Sequence, residues 1–148
     1  TTLGRFLSSL YKWNFTDLDA VLEKKHSMPV RGIFQKFQEP FFRMEELLEF
    51  EKLLEKGVDL VAVGGGAPLK KDPLRYTMVW IKPPLSVLKK RLDLQAPYLQ
   101  GVDLDEWIYQ REKTYADKAQ IELELSGEDI EVDTLRLWQA IHSVVTSP

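Results

Sequence analysis

The stretch Val58-Asp59-Leu60-Val61-Ala62-Val63, running into Gly64-Gly65-Gly66, decides the fold. It is apolar at nearly every position, as strands buried on both faces of a parallel sheet are. Three glycines then leave bare backbone at the strand's carboxyl end. In open α/β sheets ligands bind beyond such ends. The plain alternative is a tight strand-to-helix turn. Three glycines exceed what a turn requires, because each costs chain entropy on ordering. The triplet therefore reads as a floor on which a small ligand touches main chain.

The segments on either side alternate between strand and helix. Thr1 to Leu10 carries Leu3, Phe6, Leu7 and Leu10 at helical spacing, and reads as an amphipathic helix and not as a signal peptide. Trp13 to Thr16 reads as a short strand feeding the turn Asp17-Leu18-Asp19, with Asp19 placed to cap the helix that follows. Pro29 suits the first turn of another helix with Ile33, Phe34 and Phe37 inward. Pro40 opens a longer helix through Lys56, with Leu47, Leu48, Phe50, Leu53 and Leu54 inward and Gly57 as its stop. Thr77 to Lys82 is a second apolar strand, ended by Pro83-Pro84, after which Ser86 is placed to cap a helix through Leu92. Leu94 to Val102 reads as a loop, and Leu104 to Ala119 as a helix. Ile121 to Leu125 or Ile130 to Val132 supplies a late strand, and Leu135 to Val145 a closing helix. Strands alternating with helices predict a three-layer α/β/α fold around a central parallel sheet. No internal repeat or low-complexity linker divides the 148 residues, which predicts a single domain.

Composition narrows the function. The net charge of -3 and pI near 5.5 argue against a nucleic-acid partner, which calls for a basic excess. No apolar run approaches the roughly 20 residues that span a bilayer, so no membrane partner is expected. There are no cysteines, and His26 and His142 are isolated, which argues against disulfides and a zinc site.

Several polar residues stand near the expected ligand floor. Asp17 and Asp19 have a bland reading as a helix cap and a solvated turn. Their chemical reading is a water-mediated magnesium contact for Asp17 and a substrate hydroxyl for Asp19. Arg43 and Glu46 could form an i,i+3 surface pair worth about 0.2–0.5 kcal/mol. The sharper reading makes Arg43 a fork for a substrate carboxylate, with Glu46 holding the guanidinium, at roughly 1.5–3 kcal/mol. Arg111 stands among charges on a helix, where a solvated face is the default. Trp107 and Tyr115 read as core or groove aromatics. Arg91 ends the short helix after Pro84, where it complements the helix dipole or stacks on a purine.

In order, these residues resemble the shikimate kinase family, a P-loop kinase-like fold. The resemblance covers nearly the whole chain. It is carried by Thr2-Leu3-Gly4-Arg5, Asp17-x-Asp19, Ile33-Phe34, Glu39-Pro40-Phe41-Phe42-Arg43-Met44-Glu45-Glu46 and Gly64-Gly65-Gly66. It implies ATP-dependent phosphoryl transfer to the 3-hydroxyl of shikimate, with Mg2+ as cofactor. It implies that Asp19 engages the reacting hydroxyl and that Asp17 and Thr1 hold the metal. Arg43 and Arg111 would grip the carboxylate, Gly65 and Gly66 would hold the ring through backbone, and Phe34 and Phe42 would shape the pocket. Thr1 would close the phosphate loop, and Arg91 would lie against adenine. The family's G-x-x-x-x-G-K would stand just before Thr1, and its first strand with it. The chain is therefore expected to be part of a longer protein.

The resemblance also marks one departure. The family's lid carries Arg-Pro-Leu-Leu, where this chain has Ala96-Pro97-Tyr98-Leu99. That departure motivates a second expectation, a non-catalytic relative with an interaction or regulatory role. A third is another small-carboxylate kinase of the same fold, such as a gluconate kinase. The resemblance implies an intracellular setting, either bacterial cytoplasm or plastid stroma.

Overall fold

The computed structural model describes residues 1–93, 103–127 and 129–145. They form two compact units, Thr1–Lys70 and Lys71–Pro148. Both are α/β, and every strand pairing is parallel.

The first unit runs α1 (Thr2–Tyr11), β1 (Phe15–Asp17), α2 (Leu18–His26), α3 (Val30–Glu55) and β2 (Leu60–Ala62). β1 and β2 pair with Phe15 opposite Leu60, Thr16 opposite Val61 and Asp17 opposite Ala62. This register brings the Asp17 turn level with the approach to the glycine triplet. Leu22, Ile33 and Phe42 form the buried core under α2 and α3, with Met28, Val30, Phe34, Phe37 and Phe41 packed against it. Full burial of such a side chain contributes about 1.5–3 kcal/mol.

Several boundaries differ from the sequence reading. Asp17, not Asp19, caps α2: its carboxylate accepts the main-chain N–H of Asp19 at 3.0 Å and of Ala20 at 3.4 Å. Asp19 falls in the helix's first turn, where its side chain is released from capping. The two helices expected around Pro29 and Pro40 run on as α3, broken at Gln38 by φ 69 and ψ 164. Pro40 follows this break, where a missing N–H costs nothing. Phe50 and Leu53 point inward as expected, whereas Leu47 and Leu48 are exposed. The buried face of that turn is taken by Glu45 and Glu46. Leu10 of α1 is likewise exposed, and Leu7 alone of that helix is buried. Gly57 closes α3 at φ 66, a conformation suited to glycine.

Glu45 anchors α2 to α3. It accepts from Lys25 at 2.7 Å and pairs with His26 at 2.9 Å. The His26 ring meets Phe37 and Phe41 at centroid distances of 5.8 and 5.6 Å. Burial opposes the charge on Glu45, but the hydrogen bonds from Lys25 and His26 win and hold its pKa below the ordinary value.

The second unit runs β3 (Val79–Lys82), α4 (Leu85–Asp93), α5 (Leu104–Lys118), β4 (Ile121–Glu124) and α6 (Ile130–Val145). β3 and β4 are parallel, from Val79 opposite Ile121 to Lys82 opposite Glu124. Gln120 locks the entry to this pair by accepting the Met78 N–H at 2.8 Å and donating to the Tyr76 carbonyl at 3.2 Å. Of the two candidates for the late strand, Ile121 onward forms it. Ile130 to Val132 instead opens α6, which starts five residues before the expected Leu135. Ser86 does not cap α4, because the helix already begins at Leu85 beside Pro84. Asp133 of α6 ties back the preceding turn, accepting from Ser126 N at 2.8 Å, Ser126 Oγ at 2.9 Å and Gly127 N at 3.2 Å. The loop expected at 94–102, with Ala96, lies outside the described residues.

Candidate active site

The first unit gathers Thr1, Asp17, Asp19, Arg43, Glu46 and the Gly64–Gly66 turn. Arg43 projects from α3 and is held by two carboxylates on its own helix. Nη1 donates to Glu46 Oε2 at 2.6 Å, while Nε and Nη2 donate to Glu39 Oε1 at 3.0 and 2.9 Å. Among the described residues these bonds leave one N–H on each terminal nitrogen, and a carboxylate takes such a pair in a bidentate fork. Burial works against the cation, but Glu46 and Glu39 outweigh it and lift the Arg43 pKa further above its already high value. Phe34 and Phe42 stack on each other at 4.4 Å, and each ring centroid is 5.5 Å from Arg43 Cζ. Phe42 is itself core, 2% exposed, so it meets the site through Arg43.

Gly66 lies directly against this guanidinium. A Cβ at that position would stand 2.6 Å from Arg43 Cζ, inside any real contact. Only a residue without a side chain lets Arg43 lie there. Gly64 faces the acids: its absent Cβ would meet Glu46 Oε1 at 3.1 Å and Asp19 Oδ1 at 3.4 Å. The floor is bare because three side chains converge on it. Gly65, between them, is exposed.

Glu46 is entirely buried, and its Oε1 has no hydrogen-bond partner among the described residues. Burial raises its pKa most, Arg43 pulls it down, and the charges of Asp19 and Glu39 add to the rise. Asp19 is also raised, first by burial and then by Asp17 and Glu23, with Arg43 opposing. Two carboxylates with unspent acceptor capacity thus face the glycine floor beside a guanidinium with unspent donors. Such a set suits a guest with hydroxyl groups and an acid group.

Asp17 Oδ2 accepts from the Thr1 hydroxyl at 2.5 Å, while its Oδ1 serves the α2 cap. A hydroxyl and one carboxylate fit Mg2+, which takes few protein ligands and keeps most of its waters. Arg111 stands in the second unit, on α5, with its Cζ 4.8 Å from the Trp107 ring centroid. Arg91 is the seventh residue of α4, and its side chain lies outside the described residues.

Sequence reasoning gave Glu39 no role, although its i,i+4 spacing to Arg43 is a legible signal. It gave Glu46 the role of guanidinium holder but missed the oxygen facing the floor. Nothing in the sequence marks that oxygen, because spacing carries no information on burial.

The chain matches the family model for shikimate kinase over residues 1–142. The shikimate kinase of Microcystis aeruginosa is 32% identical, over 98% of this chain and 82% of that protein. Among solved structures, shikimate kinase from Aquifex aeolicus superposes with a TM-score of 0.77 at 26% identity, covering 99% of this chain and 91% of the other. Shikimate kinase from Acinetobacter baumannii in complex with shikimate shares the fold, with a TM-score of 0.79 at 24% identity, over 99% of this chain and 88% of that one. Fold and site together define a nucleotide-using small-molecule kinase of the P-loop kinase fold. The chain belongs to the shikimate kinase family.

Proposed function

We propose that this protein transfers the γ-phosphoryl group of ATP to the 3-hydroxyl of shikimate, in the synthesis of aromatic amino acids. One observation carries the reading: Arg43 is braced by Glu46 and Glu39 against the bare backbone of Gly66, with Asp19 and Glu46 turned to the same floor. Arg43 binds the substrate carboxylate through its two remaining N–H groups. Arg111 contributes the second guanidinium, and Gly65 and Gly66 support the ring. Asp19 accepts from the reacting hydroxyl. Burial and the nearby acids raise its pKa, which makes its carboxylate a better proton acceptor than that of an ordinary aspartate. Phe34 and Phe42 wall the Arg43 side.

Thr1 and Asp17 would hold Mg2+, which supplies charge neutralisation at the phosphates when bound. Arg91 would lie against the adenine. Phosphoryl transfer is mostly positioning and charge stabilisation, which a rigid cradle of this kind provides. Among the described residues no helix is long and apolar enough to cross a membrane. The bacterial relatives favour a cytoplasmic setting.

A coupled ADP-release assay on the full-length protein tests the reading. ADP release that depends on shikimate supports it, and the absence of release above the ATPase background contradicts it. A panel with gluconate and other small hydroxy acids reports substrate choice. Heat of ATP binding without turnover would point instead to a regulatory relative.

A further inference from the structure

Arg43 meets two carboxylates of its own helix before any substrate arrives, and the two are unlike. The Glu46 side chain is wholly out of solvent and accepts from Nη1 through Oε2 at 2.6 Å. Turning it away would leave a buried charge unpaired, which is strongly unfavourable. The Glu39 side chain is 62% exposed. One of its oxygens, Oε1, serves both Nε at 3.0 Å and Nη2 at 2.9 Å, while Oε2 makes no hydrogen bond among the described residues. One oxygen shared between two donors is a poorer arrangement than an oxygen opposite each. Rotation of Glu39 into water therefore costs little, as for other exposed ion pairs. The substrate carboxylate is assigned to the N–H groups that Glu46 and Glu39 leave on Nη1 and Nη2. Nη2 would then carry Glu39 on one hydrogen and substrate on the other, so two like charges meet at one nitrogen.

We propose that Glu39 is a placeholder: it occupies Arg43 in the empty site and yields when the substrate carboxylate arrives, so that its contact restrains affinity. This role rests on the assignment of Arg43 to that carboxylate. Glu46, buried, is the fixed support, and Glu39, exposed, is the exchangeable one. In the empty site Glu39 keeps a half-buried guanidinium ordered and neutralised. On binding, the exposed acid passes to water and the substrate's acid takes over its charge. The fork is thus held ready, which saves side-chain freedom at the moment of binding. In return, apparent affinity falls with the share of molecules in which Glu39 is in place. A brace would have the opposite effect, since its removal would loosen Arg43 and weaken binding.

Calorimetric titration of shikimate into the full-length protein separates the two roles by the sign of the change. Glu39→Gln keeps the size of the side chain and removes its charge. It is expected to bind shikimate about three- to fivefold more tightly than wild type, with Tm nearly unchanged because the contact is exposed. Should Glu39→Gln not fold, Glu39→Ala replaces it. In an Arg43→Ala background the same substitution is expected to change affinity by less than about 1.5-fold, because no guanidinium is left to compete for. Weaker binding by Glu39→Gln overturns the placeholder role, marks Glu39 as a fixed brace and leaves the Arg43 assignment intact. Unchanged affinity overturns it too. An equal gain with and without Arg43 also overturns it, since that is the general effect of removing a negative charge near an anionic ligand. If Arg43→Ala binds as wild type does, or if no protein binds shikimate, the underlying assignment falls and the placeholder role with it.

Discussion

Gly66 and Arg43 form one device. The guanidinium occupies the volume in which any other residue at 66 would keep its Cβ. Gly66 is not among the glycines with positive φ, so alanine there meets no backbone strain of its own. Gly66→Ala is therefore expected to act by displacing Arg43, raising KM for shikimate about tenfold or more with little change in Tm. In combination with Arg43→Ala the two effects should fall well short of adding, as they do for residues in contact. Additive effects in this double-mutant cycle would separate the two residues. Asp19 yields a different signature. Burial and the nearby acids disfavour its charge, so Asp19→Asn is expected to raise Tm while cutting kcat by about 100-fold or more. A parallel fall of Tm and kcat would mark Asp19 as structural instead. At this scale the sequence carried the Arg43–Glu46 contact in its i,i+3 spacing. It could not carry the complete burial of Glu46, which depends on how α3 meets the glycine turn.

Helix α3 shows why element boundaries were harder to read than element types. Apolar spacing and the prolines at 29 and 40 marked two helices, and two helical segments are present. The chain joins them through one residue, Gln38, at φ 69 and ψ 164. That region is close to glycine-only and costs a side chain about 1–3 kcal/mol. Nothing local to a glutamine announces it; on either side of the break Phe37 and Phe41 pack around His26 and Glu39 pairs with Arg43. Gln38→Gly is expected to stabilise the protein by about 1 kcal/mol, net of the glycine's own entropy cost, as a higher urea midpoint with unchanged slope. A lower midpoint would show that Gln38 makes contacts worth more than its strain. The caps follow a similar logic. Asp17 and Asp19 both suit an N-cap, and the parallel register that carries β1 as far as Asp17 assigns the cap to Asp17.

The molecule comprises two units, each with its own parallel strand pair and its own buried residues. The α/β class was legible from alternating apolar strands and amphipathic helices. The two-stranded extent of each pairing was not, since strand partners are fixed by long-range packing and not by local pattern. Acid stability belongs to this scale. Burial opposes the charge of Asp133, but hydrogen bonds from Ser126 and Gly127 prevail and hold its pKa below the ordinary value near 4. A carboxyl depressed in the folded state contributes stability that is present above its unfolded pKa. That contribution is lost as pH falls through the folded value. Glu45 and Glu49 are depressed as well and act in the same direction. Asp19 and Glu46 are raised, so their penalty is relieved as pH falls toward the unfolded range, which offsets part of the loss above pH of about 4. Urea unfolding is expected to show little change from neutrality to about pH 5 and a steep loss below about pH 4. In Asp133→Asn the total stability should be lower and the acid limb shallower. An unchanged acid limb would exclude Asp133 as a contributor.

Calorimetric titration of shikimate into wild-type protein and Arg43→Ala tests the central claim most directly, because it reads the carboxylate clamp without requiring turnover. Saturable heat for wild type and an affinity about 10- to 100-fold weaker for the variant is the predicted result. Equal affinities, or no binding to either protein, would contradict the proposed site.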